Sequence, residues 1–98
     1  MFFKIHKSYR HVVAICDSEI VGKLFEEGMF QLDVKESFYK GQEAQEEEII
    51  RLIKRMSAED ATFNIVGEKS INLAIELGIV AEDSIRRISG VPFAMILL

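Results

Sequence analysis

Between Ala61 and Gly78 the chain reads as a β-rich run, Ala61 to Val66, then Gly67, then a segment in which Ile71, Leu73, Ala74, Ile75 and Leu77 wrap most of a helix before Gly78 closes it. A glycine between a strand and a buried helix permits a tight turn, so the pair predicts a βα unit. A helix that is apolar around most of its circumference needs cover on several sides. The chain is thereby confined to folds in which helices pack on a sheet.

The flanking segments extend this frame. Phe2 to Lys7 and His11 to Cys16, joined by the polar Ser8-Tyr9-Arg10, predict a hairpin, and the apolar run Val12 to Ile15 predicts a second strand buried on both faces. Asp17 and Ser18 are N-cap residue types, and Ile20, Val21, Leu24 and Phe25 after them form one stripe that predicts a helix ending at Gly28. Phe30, Leu32 and Val34 alternate with Gln31 and Asp33, predicting a strand near a sheet edge with one wet face. Glu36 to Gly41 has no period and is expected to be a loop carrying Phe38 and Tyr39.

From Glu43 to Ser57 the acids come first and the bases last, as the helix dipole favours, and Ile49, Leu52, Ile53 and Met56 make the buried stripe. Glu47 and Arg51 are spaced for an i,i+4 pair. The apolar end, Phe93 to Leu98, predicts an interior strand. Together these elements predict one α/β domain over residues 1–98, a sandwich built on a mixed sheet of five to six strands with about three helices.

A chain of 98 residues, 49% hydrophobic, has room for one core. Charge returns within a few residues of the start, and no apolar run approaches the roughly 18 residues of a membrane span. A soluble cytoplasmic protein without membrane contact is expected. The lone Cys16 cannot form an internal disulfide, and one thiol with two histidines is too few for a structural zinc site, so no metal or cofactor is expected. His6, His11 and Cys16, five residues apart in turn, fall on alternating strand faces.

The net charge of −4 is unevenly spread. Residues 1–16 carry Lys4, Lys7 and Arg10 with no acid, whereas residues 17–34 and 57–98 are acidic. This basic segment has two readings: a contact for a phosphate backbone, or a strand edge guarded by charge. Phe38 and Tyr39, beside Lys35 and Lys40, are placed either to stack a nucleobase or to pack on the core.

Cys16, directly before a predicted helix start, is either a thiolate steadied by the helix dipole or a small buried hydrophobe. Gly67-Glu68-Lys69-Ser70 lacks the first glycine and the long loop of a nucleotide-triphosphate motif. It leaves Gly67 and Lys69 as candidates for a modest anion site, with an ordinary βα turn as the alternative. Asp17 and Glu36 are the carboxylates considered for acid and base work, against a reading as surface acids. No nucleophile, base and orienting group stand at interpretable spacing, so no catalytic residue is assigned.

Cys16-Asp17, Gly22 to Gly28, Leu32-Asp33-Val34, Glu36 to Gly41, Asn64 to Glu68 and Gly90-Val91-Pro92 lie in an order, spanning nearly the whole chain, that resembles an archaeal family known as domain of unknown function 424. The resemblance implies an archaeal cytoplasmic protein and brings no reaction, cofactor or catalytic residue. Members often carry histidine after Gly-Val-Pro, where this chain has Phe93. Two functions follow for testing. One is a non-catalytic module that binds RNA or a ribonucleoprotein through Lys4, Lys7, Arg10, Phe38 and Tyr39. The other is a small enzyme or small-anion-binding protein with a pocket near Cys16 and Gly67, which requires those two turns to lie at the same sheet edge.

Overall fold

The computed structural model describes residues 1–97. Its main sheet holds β1 (Phe2–His6), β2 (Val12–Cys16), β5 (Gln42–Glu43), β6 (Thr62–Val66), β7 (Arg86–Ile88) and β8 (Val91–Ile96) in the order β5-β1-β2-β6-β8-β7. A separate two-stranded sheet pairs β3 (Leu24–Glu27) with β4 (Phe30–Asp33). The helices are α1 (Glu36–Tyr39), α2 (Glu46–Ala58) and α3 (Glu68–Glu76). The α/β class, the mixed six-stranded sheet and the three helices agree with the sequence reading.

The β1–β2 hairpin forms with Phe2 opposite Cys16 and His6 opposite Val12. β2 and β6 run parallel, Val12 beside Thr62 and Cys16 beside Val66, while β8 returns antiparallel to β6. Alternation along each strand sends Val13, Ile15, Phe63, Ile65, Ala94 and Ile96 to one face, where the apolar sides of α2 and α3 cover them. The stripe Ile49, Leu52, Ile53 and Met56 is buried as its spacing predicts. Each such side chain taken wholly out of water contributes roughly 1.5–3 kcal/mol, which makes this layer the main source of stability.

The opposite face carries Ala14, Cys16 and Val66, covered by Ile20, Val21, Phe25, Leu32, Val34, Phe38 and Tyr39. Here two expectations are corrected. The helix expected to end at Gly28 is absent: Ser18–Ile20 makes one 3-10 turn, and Leu24–Glu27 is strand β3. Gly22, at φ 84°, turns the chain out of any helix, and its N–H donates to Val34 O at 2.6 Å. Gly28 serves as a hairpin-loop residue at φ 60°, a conformation that a helix end also uses, so the same glycine fits both readings.

The second correction concerns Glu36 to Gly41, which holds the one-turn helix α1, too short to show a period. Gly41 crosses close over Phe3 O and leaves no space for a Cβ. The strand predicted from Phe30, Leu32 and Val34 exists as β4, but it pairs with β3 and not with the main sheet. β8 is interior as predicted. Within it Met95 is exposed, Leu97 beyond it is exposed too, and Leu98 lies outside the described residues. No described helix is long and apolar enough to cross a membrane.

Candidate functional site

Parallel pairing of β2 and β6 brings the turns after Cys16 and Val66 to the same end of the sheet. Asp17, 4% exposed, meets the start of α3 there. Its Oδ2 accepts from Lys69 N at 3.0 Å, and its Oδ1 accepts from Ser70 N at 2.8 Å and Ser70 Oγ at 2.7 Å. The helix N-terminus is thus capped by a carboxylate from the turn that follows β2, which fills the position an incoming anion would take. Gly67, at φ 110°, lets the chain pass the carboxylate: a Cβ there would sit 2.7 Å from both Asp17 oxygens.

Cys16 is fully buried, and burial above all, with Asp17 adding to it, pushes its thiol from 9.0 up to about 12. A protonated, inaccessible thiol is a poor nucleophile. Two measurements follow. Native protein at pH 8 is expected to leave Cys16 unlabelled by thiol reagents until denaturant unfolds it. Because the folded pKa lies above the unfolded one, the stability linked to this group is complete below about pH 9 and drains away as pH rises towards 12. Burial likewise raises Tyr39 to about 12, so alkaline melts should show a falling Tm above pH 9 that Cys16→Ala lessens.

The other predicted site residues fall into separate groups. Lys4 donates from Nζ to Ser37 O at 2.9 Å, and His6 Nε2 lies 2.8 Å from Phe38 O with its ring stacked on Phe38 at 4.4 Å. Both side chains thereby fasten α1 to β1. Tyr39 is 7% exposed and packs edge-on to Phe38. Lys7 and Arg10 are exposed in the β1–β2 turn with Tyr9 between them. Hairpin register puts His6 and Cys16 at opposite ends, and Glu36 bonds to Lys40 at 3.1 Å, away from the partners of Asp17.

The fold adds residues that the sequence reading left out. α2 runs towards the β1–β2 turn, because Thr62, just after it, donates to His11 O at 2.9 Å. Arg51, Lys54 and Arg55 are exposed on its last turns. The expected Glu47–Arg51 pair is not among the ion pairs of the described residues. Arg51 and Arg55 instead line a groove of about 420 Å³ between α2 and the β1–β5 edge, with Phe3, Ile5, Gln42 and Glu48. Neither guanidinium has a hydrogen-bond or ion-pair partner among the described residues. Their i,i+4 spacing was visible in the sequence, but the strand edge that completes the groove was not.

Comparison with known proteins places this arrangement. A crystal structure of an uncharacterized conserved protein from Methanopyrus kandleri superposes with a TM-score of 0.82, covering 98% of this chain and 90% of that one at 23% identity, and so shares the fold. No curated protein matches. The family model described as "Protein of unknown function (DUF424)" matches residues 6–98, and the chain belongs to that family.

Proposed function

We propose that this domain is a non-catalytic RNA-binding module whose phosphate-contacting surface is the β1–β2 turn together with the basic groove of α2. The observation that carries this reading is the pair Arg51 and Arg55, unpaired among the described residues, in one groove between α2 and the β1–β5 edge, with Lys7 exposed in the turn towards which α2 runs. Guanidinium forks match phosphate oxygens in geometry, and two of them one helical turn apart suit successive phosphates of a strand. Glu59 and Asp60 follow α2 at this end and Glu48 lines the groove, so the field is local and does not extend over the whole surface. Binding is favoured over catalysis because the thiol at the other end is sealed and protonated.

Fluorescence anisotropy with a labelled single-stranded RNA tests the proposal. Affinity should fall steeply between low and moderate salt, by about 0.7 logarithmic units per decade of salt for each phosphate contact. Arg51→Ala with Arg55→Ala should weaken binding at least about tenfold and flatten that slope by one to two contacts. Lys4→Ala should change affinity little, since that ammonium is held by Ser37. Salt-insensitive binding, or none by the native protein, would remove the reading.

A further inference from the structure

A second cavity, of about 370 Å³, opens on the sheet face opposite α2 and α3. Three neighbouring strands supply its floor. Asn64 on β6 pairs with Met95 on β8, and Phe93, two residues before Met95, pairs with Arg86 on β7. Leu32 of β4 and Tyr39 of α1 form the remaining walls. Residues bearing an amide and a guanidinium therefore stand diagonally on either side of an apolar strip, their backbone positions about 12 Å apart by two strand spacings across and two residues along.

Each polar group here is unspent. Arg86 is exposed and its guanidinium makes no hydrogen bond or ion pair among the described residues, although its neighbour Arg87 pairs with Glu68. It is also the one charged side chain among the lining residues. Tyr39 is more than nine-tenths buried, yet its hydroxyl neither bonds to a described residue nor is sealed from solvent. A buried phenol usually finds a partner, so an open hydroxyl in a concave wall points to one supplied from outside. The volume lies within the range of small-molecule sites.

We propose that this cavity binds a single nucleoside monophosphate, with the phosphate on Arg86, the base laid over Phe93 and Met95, and the base edge read by Asn64. A lone cation selects an anion, and a guanidinium suits phosphate. An amide, donor and acceptor at once, suits the edge of a base, and an aromatic floor suits its face. The site lies on the sheet face away from the Arg51–Arg55 groove and stands apart from the RNA proposal.

The test is titration of the full chain with each of the four common ribonucleoside monophosphates, the matching nucleosides and inorganic phosphate, followed by amide NMR and calorimetry. At least one monophosphate should saturate and shift Asn64, Arg86 and Phe93, and its nucleoside should bind about tenfold more weakly. Arg86→Ala and Arg86→Gln should each weaken binding about tenfold or more, with Tm unchanged because the residue is exposed, while Lys23→Ala, which removes an exposed charge outside the cavity, should leave it intact. Failure of all four monophosphates to saturate, unchanged affinity in both Arg86 variants, or inorganic phosphate binding as tightly as the nucleotides would each overturn the assignment.

Discussion

Gly67→Ala is expected to destabilise the domain by about 3–4 kcal/mol, a large share of the roughly 5–15 kcal/mol that holds a domain folded. Two costs combine. Gly67 holds φ 110° and ψ 154°, a region that is essentially closed to side-chain-bearing residues. A Cβ would also overlap the carboxyl group of Asp17, itself fixed by Lys69 and Ser70. A double-mutant cycle separates the two. With Asp17→Ala in place the overlap disappears and only the backbone cost remains, so the two losses should sum to more than the double variant shows. Strict additivity in chemical denaturation would contradict the close packing of these residues.

Asp17→Ala alone should cost about 3 kcal/mol and lower Tm by about 12–20 °C. The change removes an acceptor from two backbone amides and one buried hydroxyl at the start of α3, and Ser70 at 2% exposure has little access to water as a substitute. Asp17→Asn is the control. Its carbonyl oxygen can still accept from Ser70, but its NH₂ would face the Lys69 amide, so a loss of about 1–2 kcal/mol is expected. Thermal melts of the three proteins decide the matter, and equal Tm values for native and Asp17→Ala would refute the capping role.

These two residues also mark how far the sequence could be read. Gly67 was recognisable as the turn of a βα unit, and Asp17 as a capping residue type. That Asp17 caps α3 was hidden, since the partners lie 53 residues apart and meet only through the parallel pairing of β2 and β6. α2 was legible because its stripe, its charge order and its length agree. Leu24 and Phe25 misled because a short segment can satisfy a helical stripe and a strand alternation alike, and contact with Leu32 of β4 decided for the strand.

The candidate interface divides in the same way. Lys7 and Arg10 were visible as a basic stretch. Lys4, Phe38 and Tyr39 shared the stretch or the composition, but tertiary contacts commit Lys4 to α1, Phe38 to His6 and Tyr39 to the buried side of the sheet. Arg51 and Arg55 looked like members of a balanced helix because their segment carries no net charge. The fold set them in one groove against the β1–β5 edge, on a helix that runs towards the β1–β2 turn and leaves the acids of its first turn, Glu46 and Glu47, at its far end. Local charge in three dimensions differs from charge counted along the chain.

In the proposed complex RNA meets the domain at the β1–β2 turn and the α2 groove, the α3 N-terminus being closed by Asp17. An amide NMR titration with a short single-stranded RNA tests it most directly. Progressive, salt-sensitive shifts are expected at residues 7–11 and 51–58, with Gly67, Lys69 and Ser70 unmoved. Shifts confined to Gly67, Lys69 and Ser70, or no shifts at any ratio of RNA to protein, would contradict it.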